Sequence, residues 1–385
     1  MNQPQESFLK NDYLKVLKLI SSDVFEPRLV RAILFVVFAV QLTASIITVR
    51  ALLIKELTAK EFVLYGPVFF GCFYGMLAIY IIIFQSSFIT NMSQELEMWS
   101  YSSGGEEINR RVKFQSRVIT IYALVNFLLA IVASYLYFSP LDSDNETFYM
   151  VRFIEEKIPD YAKICKIAYR TTFLAMGYVM IVHSYQVIYA SQHVRFQIIF
   201  FTEYVKKVVE FDEKISEECL FYNERFQTIV GKRLQNCVIR HIQFLKFDRI
   251  KIKEMSNLIA AFSLCGCLLG ISISFYVLSG IFYREHFLRV ALISVTAVST
   301  FFALILAGQS MESKANSAHI IMNNIKWYNF NQSNKKAYLL LLMMSMKQYK
   351  IKFSENYSIN YELGLTIVRG IYSIISVMAN MHFDN

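Results

Sequence analysis

The chain contains little proline, glycine and charge for its length. Among 385 residues there are 5 prolines and 13 glycines, and Asp, Glu, Lys and Arg together make up 18%. Soluble domains average about 25% charged residues. The scarcity of proline and glycine excludes a collagen-like repeat, and the low charge excludes a disordered chain. Six cysteines in so long a chain exclude a disulfide-rich secreted module.

Apolar residues are abundant instead, at 55% of the chain, and they occur in long runs. A helix needs about 20 residues to cross the hydrocarbon core of a bilayer. Seven runs reach that length, and we therefore predict an all-α membrane protein with seven transmembrane helices. The seven predicted spans are 29–54, 62–90, 118–138, 171–201, 258–283, 287–308 and 361–381.

The distribution of Lys and Arg predicts the orientation. The N-terminal tail and the second, fourth and sixth connections together carry 27 of the 39 basic residues, whereas the other connections and the C-terminal tail carry 8. Basic residues are retained on the cytoplasmic side of a membrane. We therefore expect a cytosolic N-terminus and an extracellular C-terminus. The sequence Asn145-Glu146-Thr147 then lies outside, where Asn145 is a glycosylation acceptor.

Two further segments have an amphipathic pattern. In 202–257, apolar side chains recur every three or four residues within a highly charged segment, which favours a cytosolic helical bundle over a solvated loop with transient helices. The N-terminal tail carries a shorter stripe, which is compatible either with an interfacial helix or with a disordered tail. The stripes are Phe226, Val230, Leu234, Cys237, His241 and Leu245 in the first segment, and Phe8, Leu9, Tyr13, Val16, Leu17 and Ile20 in the second.

The sequence lacks the usual patterns of catalysis. Its six histidines do not form a metal-ligand spacing such as H-E-x-x-H, and neither a phosphate-binding glycine loop nor a G-x-S-x-G turn occurs. Carboxylates within the spans are nearly absent, which argues against an ion-coupled carrier. We therefore expect no enzymatic activity, no metal, no cofactor and no nucleic-acid partner. Gly71-x-x-x-Gly75 and Gly266-x-x-x-Gly270 are interpreted as helix-packing devices.

The last span differs from the other six because it has a semi-polar face. A polar face on a membrane helix turns toward protein or water and away from lipid. It therefore indicates either hydrogen bonding between helices or the wall of a water-filled path. The semi-polar face comprises Thr366, Arg369, Gly370, Ser373, Ser376, Val377 and Asn380, and the opposite apolar face comprises Leu365, Val368, Tyr372, Ile375 and Met378.

The C-terminal hundred residues contain an ordered series of short motifs. The motif residues are Trp327, Lys335-Lys336, the apolar run 339–344, Ser345-Met346-Lys347, Glu362, Ile367-Val368-Arg369 and Tyr372-Ser373. This series resembles the tail of the insect odorant receptor family. Chain length, seven spans, an inside N-terminus and a long charged fourth connection fit that family over the whole chain. The Thr-Tyr and Gln-Phe ending of gustatory receptors and of the shared co-receptor is missing, so the chain resembles an odorant-specific tuning subunit.

The resemblance implies a tetrameric, ligand-gated, nonselective cation channel in the plasma membrane of sensory neurons. It also implies that the chain has two parts. Residues 1–308 hold six spans with a ligand pocket in their outer half and, within them, the cytosolic extension 202–257. Residues 309–385 hold cytosolic anchor helices and then the pore-lining helix 361–381. The expected partners are a co-receptor subunit in a heterotetramer, a small volatile apolar ligand and the lipid bilayer.

Candidate site residues follow from this arrangement. Aromatic and methionine side chains in the outer halves of spans two, three, four and six are expected to bind the ligand, with a possible hydrogen bond from a tyrosine or from His183. The semi-polar face of the last span is expected to line the pore. The ligand-binding candidates are Phe69, Phe73, Tyr74, Tyr135, Phe173, Met176, Met180, His183 and Val295. The pore candidates are Thr366, Gly370, Ser373, Val377, Asn380 and Met381.

Three rival classes were weighed. A G-protein-coupled receptor has seven spans but an outside N-terminus, and its Asp-Arg-Tyr and Asn-Pro-x-x-Tyr sequences are missing here. A carrier or membrane enzyme is disfavoured by the near absence of carboxylates within the spans and by the lack of ligand clusters and of matched broken helices. A gustatory receptor channel has the same architecture with a different class of ligand, and it is the nearest alternative.

Overall fold

The structure is a computed structural model, and it describes residues 12–54, 56–84, 98–211, 216–247, 253–278, 284–346, 350 and 358–383. Within these ranges, the side chains of 59, 60, 102, 217, 218, 253–258 and 378–383 are not described. The helices are α1 (Lys15–Ser21), α2 (Arg28–Leu53), α3 (Ala59–Phe84), α4 (Glu106–Phe138), α5 (Tyr149–Lys157), α6 (Ala162–Lys206), α7 (Glu224–Phe247), α8 (Lys253–Leu278), α9 (Phe287–Asn323), α10 (Gln332–Ser345) and α11 (Tyr361–Phe383). Short helical turns lie at Asp144–Thr147 and Glu217–Leu220.

The prediction of an all-α membrane protein is confirmed. In the part of the chain that the structure describes, six helices are long and apolar enough to cross a membrane, namely α2, α3, α4, α6, α8 and α9. The chain is therefore a multi-pass membrane protein. Helix α11 has 23 residues and is also long enough. Its role as the seventh span stays a prediction.

Three helices extend well beyond the spans predicted from hydropathy. Helix α4 begins at Glu106 instead of 118, α6 covers Ala162–Lys206 instead of 171–201, and α9 continues to Asn323 instead of 308. Hydropathy detects only the apolar part of a helix, whereas Glu, Lys, Arg and Gln continue a helix well outside the apolar zone. The predicted span ends at 85–90 and 279–283 lie outside the described residues.

The long helices run in alternating directions between the two ends of the bundle. We name each end after the helix that lies there, α5 or α7. At the α5 end, Arg152 of α5 pairs with Glu61 of α3 at 3.3 Å. At the α7 end, Arg240 of α7 donates to Gln197 of α6 at 2.7 Å. Helices α2, α4, α8 and α11 run toward the α5 end, and α3, α6 and α9 run toward the α7 end.

Helix α6 lies at the centre and contacts α1, α2, α3, α4 and α9. The N-terminal segment forms a helix, as one of the two sequence interpretations expected, but α1 does not simply lie at an interface. Leu14 and Leu17 are fully buried against α6, and the Asp12 carboxylate accepts from Tyr189 at 2.8 Å. This docking follows from the apolar stripe, which has a protein partner. Phe8 and Leu9 lie outside the described residues.

Within 202–257, the amphipathic stripe lies on the helix α7, and the cytosolic bundle stays a prediction. Phe226, Val230, Leu234, Cys237 and His241 are all buried, and they pack α7 against α10. Helix α6 ends at Lys206, where a 3₁₀ turn at Lys207–Val209 follows it.

Polar contacts join α7 to α10. The side chain of Asn334 donates to the carbonyl of Gln227 at 2.8 Å, and Gln227 donates to the carbonyl of Asn329 at 2.8 Å. In the tail motif, the Lys335 ammonium lies 5.9 Å from the centre of the Trp327 ring. These contacts hold α10 and the turn before it against α7, so the segment before the last helix has a fixed support.

Candidate functional site

A cavity of about 880 Å³ lies inside the bundle, between α3, α4, α6, α8 and α9, and it reaches the first turns of α11. We name it the central cavity. The described residues around it are mostly apolar, and their polar groups are hydroxyls, thiols, the His183 imidazole and the Gln186 amide. None of the described residues around it is Asp, Glu, Lys or Arg. The central cavity therefore suits a small uncharged ligand that is bound by dispersion and shape.

Five of the nine ligand-binding candidates lie on the cavity wall. Phe173 and Met176 of α6 are buried there, and the Tyr74 ring of α3 lies 5.2 Å from that of Phe262 on α8. Small shifts of such aromatic and thioether side chains can fit different ligand shapes. The five cavity residues are Tyr74, Phe173, Met176, Met180 and His183.

Among the described residues of the cavity wall, His183 is the only one with an imidazole, and both of its ring nitrogens are engaged. Nδ1 lies 2.9 Å from Oε1 of Gln186, and Nε2 lies 2.9 Å from the carbonyl oxygen of Ala78. Gln186 in turn donates to the carbonyl of Ser21, the last residue of α1. A hydrogen bond from His183 to a ligand therefore requires a rearrangement that reaches the N-terminal segment.

The other four candidates do not lie on the cavity wall. Phe73, Tyr135 and Val295 are 48%, 59% and 53% exposed on the outside of the bundle, and Phe69 packs against Phe62 at 5.7 Å between ring centres. Adjacent positions on a helix point about 100° apart. A residue in the predicted outer half of a span can therefore point away from the cavity. Ligand contact by these four stays a prediction that the cavity geometry does not support.

Helix α8 is the part of the cavity wall that the sequence interpretation missed. Gly266 and Gly270 both border the cavity, and a Cβ atom at Gly266 would lie 3.8 Å from the Tyr74 ring. The small-residue pattern was interpreted only as a packing device. In the structure it leaves space beside Phe262 and Cys267. The available signal was the glycine pair itself, of which Gly266 faces the Tyr74 ring and Gly270 faces Ile371.

Helix α11 packs by a face that lies between the two predicted faces. Leu363 is 6% exposed, Gly364 lies against Ile305 of α9, and Ile367 and Ile371 continue this stripe toward α8. On the opposite apolar face, Leu365, Val368 and Tyr372 are 50%, 54% and 70% exposed in the single chain. The packed stripe is shifted by one position, or about 100°, because glycine permits the closer approach at 364.

The semi-polar face of α11 is unpacked in the single chain. Thr366, Gly370, Ser373 and Val377 are exposed, and a Cβ atom at Gly370 would meet no atom within 4 Å. The hydroxyl groups of Thr366 and Ser373 donate to carbonyls one turn earlier in α11. The remaining pore candidates, Asn380 and Met381, have side chains outside the described residues.

A buried ion cluster covers the cavity at the α5 end. The Asp144 carboxylate is 1% exposed and pairs with Arg170 of α6 at 2.6 Å and with Arg289 of α9 at 2.5 Å. Arg289 also donates to the carbonyl of Leu136 at the end of α4. One carboxylate therefore joins three helices of the cavity wall.

The glycosylation candidate lies beside this ion cluster. The Asn145 side-chain nitrogen donates to Glu155, and Thr147 is 5% exposed. Glu155 also pairs with Lys166 at 2.5 Å. Attachment of a glycan at Asn145 would require the loss of the bond to Glu155. Its glycosylation stays a prediction.

Comparison with known proteins rests on structure alone. No protein-family model matches the chain, and no curated protein sequence matches it. The chain is similar to the structure of the insect olfactory receptor OR5 from Machilis hrabei, with a TM-score of 0.63, 9% identity and coverage of 97% of both chains. It is also similar to that receptor in complex with eugenol, with a TM-score of 0.58, 12% identity and coverage of 98% of both chains. The chain therefore has the fold of the insect olfactory receptors.

Proposed function

We propose that the chain is the odorant-binding subunit of a ligand-gated, nonselective cation channel in olfactory neurons, where it works with a shared co-receptor. The observation that carries this proposal is the central cavity. Its volume of about 880 Å³ falls within the 300–1,000 Å³ that is typical of small-molecule sites. A receptor of the same fold has been solved with eugenol, a small aromatic molecule.

The lining of the central cavity favours an odorant over a polar tastant. A sugar would need many hydrogen-bonding groups, because polar groups that are buried without partners are costly. Around the cavity, Tyr74, Phe173, Met176 and Met180 offer dispersion contacts, and His183 is already engaged by Gln186 and Ala78. The gustatory alternative, which shares the architecture, is therefore less well supported.

We place the α5 end outside the cell and the α7 end in the cytosol, as the basic residues predict. Residues 1–308 then form six spans with the ligand cavity, and 202–257 is their cytosolic extension. Residues 309–385 supply anchor helices and the pore helix 361–381. In this orientation Asn145 is extracellular, and the chain belongs in the plasma membrane of sensory neurons.

Four subunits would line one pore with the semi-polar face of α11. This face is Thr366, Gly370, Ser373 and Val377, continued by Asn380 and Met381. Its exposure in the single chain supports the proposal, because a polar membrane face requires protein or water. A ring of Val377 and Met381 would close the pore by excluding water, and Asn380 would offer an amide to a partly dehydrated cation.

The test is current recording in cells that lack endogenous receptors, with and without an odorant-receptor co-receptor, during exposure to a panel of volatile odorants. We expect a cation current that requires both subunits and persists when G-protein signalling is blocked. A current that depends on G proteins would support a G-protein-coupled receptor instead. A current evoked by sugars or bitter compounds but by no volatile would support the gustatory alternative.

A further inference from the structure

Cations meet at the α7 end of the bundle, where α4, α6 and α9 converge. Arg111 comes from α4, Arg195 from α6 and Lys314 from α9, and we name these three residues the basic crevice. The charges of Arg111, Arg195 and Lys206 all act on Lys314, and the charge of Arg111 acts on Arg195. Positive charges at such proximity repel each other, and this arrangement therefore requires compensation.

The partners of Arg195 are neutral. Its Nη1 donates to Gln192 at 2.8 Å, and its Nη2 donates to Gln115 of α4 at 3.1 Å. Gln192 donates in turn to Ser310 of α9 at 3.2 Å. The Nε atom of Arg195 is buried and forms no hydrogen bond in the described part of the molecule. A guanidinium that is hydrogen-bonded only to neutral amides keeps an uncompensated positive charge, which favours the binding of an anion.

Two carboxylates near the basic crevice, those of Glu203 and Glu312, are already engaged. Glu203 pairs with Lys206 at 2.6 Å, and Glu312 pairs with Lys350 at 2.7 Å. Over the described ranges, Arg111, Arg195 and Lys314 form no ion pair within 4 Å. The chain therefore supplies the crevice with cations and amides but, in these ranges, with no counter-charge.

The opposite end of the same helices is built differently. Arg170 of α6 and Arg289 of α9 share the buried carboxylate of Asp144. Arg195 and Lys314 each lie 25 positions further along those helices, a distance of about 37 Å at 1.5 Å per residue. A bilayer measures about 30 Å across its hydrocarbon core and 40–45 Å with its headgroups. The two pairs of cations therefore lie near opposite membrane surfaces, and only one pair has a carboxylate from the protein.

An apolar groove leads from the middle of the bundle toward the basic crevice. The Tyr122 hydroxyl of α4 donates to the carbonyl of Ser299 on α9 at 2.6 Å, which holds the two helices together. From that contact toward the α7 end, Val118, Phe302 and Leu306 are 51%, 58% and 42% exposed. A hydrocarbon chain can lie along these side chains while the group attached to it reaches the cations.

We propose that the basic crevice binds the headgroup phosphate of an anionic phospholipid from the leaflet at the α7 end, with an acyl chain along the groove between α4 and α9. A lipid fits better than a soluble phosphate because the cations adjoin exposed apolar side chains at membrane depth. The proposed orientation makes this the cytoplasmic leaflet, where anionic lipids are concentrated. The bound lipid would link α6 and α9, both of which line the central cavity.

The test uses the purified full-length chain and native mass spectrometry, which counts bound lipids. The probes are phosphatidylserine and phosphatidylinositol 4,5-bisphosphate, with phosphatidylcholine as the neutral comparison. Lys314→Gln and Arg111→Gln should each weaken binding of the anionic lipids about five- to tenfold and leave phosphatidylcholine unchanged. The control is Lys232→Gln on the exposed surface of α7, which should stay within about twofold of the parent chain.

Three outcomes would overturn the proposal. The first is unchanged anionic-lipid binding in both crevice variants. The second is an equal loss in the Lys232 control. The third is full competition by inorganic phosphate or inositol trisphosphate at the concentration of the lipid, which would identify a soluble anion as the occupant. Because lipid counting requires no channel current, failure here is distinguishable from failure of the proposed odorant-gated function.

Discussion

Gly308 of α9 lies directly against the backbone carbonyl of Ile359, two positions before α11 begins. Closer to the α5 end, α9 lines the central cavity with Ile293, Ala297 and Ile305. One rigid helix therefore touches both the ligand cavity and the start of the proposed pore helix. Movement of α9 on ligand binding would be transmitted to α11 at this contact.

Gly308→Ala should change gating more than stability in the membrane. The new Cβ atom would overlap the backbone of Ile359, and backbone atoms cannot move aside as a flexible side chain can. We expect a shift of at least about threefold in the odorant concentration for half-maximal current, or a constitutive current. Ser313→Ala is the matched control, since Ser313 lies on the exposed surface of the same helix, away from the cavity and from Ile359. Equal dose–response curves for the two variants would show that this contact does not couple the helices.

Asp144→Asn should strongly destabilise the bundle. The substitution leaves Arg170 and Arg289 buried without their shared carboxylate, and removal of one partner of a buried pair costs about 3–5 kcal/mol. Glu156→Gln is the control, because its pair with Arg152 is largely exposed and contributes at most about 1 kcal/mol. Thermal unfolding in detergent measures both. A melting temperature for Asp144→Asn equal to that of Glu156→Gln would contradict the structural role of the ion cluster.

The packing of α7 should weaken in mild acid. Burial lowers the pKa of His241 below its ordinary value of 6.5, and its contact with the backbone of Met344 opposes this only in part. The unfolded state therefore takes up a proton first as the pH falls through 6.5, and stability is lost from there down to the lower folded pKa. Above pH 6.5 this contribution is fully present. Thermal unfolding at pH 7.5 and pH 5.5 measures the effect, and His241→Gln should show a smaller difference. The same difference in both proteins would assign the pH dependence to other groups.

The exposed face of α11 should be accessible to water when the channel is open. Ser373→Cys and Val377→Cys should react with a water-soluble thiol reagent during odorant application and lose current. Ile371→Cys, on the packed stripe beside Gly270, should not react. The comparison is made in the co-expressed channel by the rate of current loss. Equal rates at 371 and 373 would show that this face of α11 does not line the pore.

The sequence predicted the helices well because their signals are local. Long apolar runs identified the spans, because they report removal from water into lipid or protein. The stripe from Phe226 to His241 identified α7, because it reports burial of one helix face against protein. Hydropathy could not locate the ends of α4, α6 and α9, where charged residues continue the helix outside the apolar zone.

The cavity was predicted less completely, because the side chains that line it depend on how each helix is rotated about its own axis. Met176 and Phe73 both lie in suitable helix halves, yet Met176 is 2% exposed on the cavity wall and Phe73 is 48% exposed outside it. The part played by α8 depends on Gly266, which faces Tyr74 of α3, and on Gly270, which faces Ile371 of α11. The Asp144 cluster joins positions 145 residues apart in sequence, which no local pattern records.

The most direct test of the central claim is the odorant ranking of Met176→Ala against that of Phe73→Ala, measured as concentration–response curves in the co-expressed channel. Met176→Ala enlarges the central cavity, whereas Phe73→Ala removes an aromatic ring outside it. The account predicts that Met176→Ala reorders the odorants, with larger ligands gaining potency about tenfold relative to smaller ones. It predicts that Phe73→Ala preserves the parent order. A preserved order in Met176→Ala together with a changed order in Phe73→Ala would place the odorant site outside the cavity.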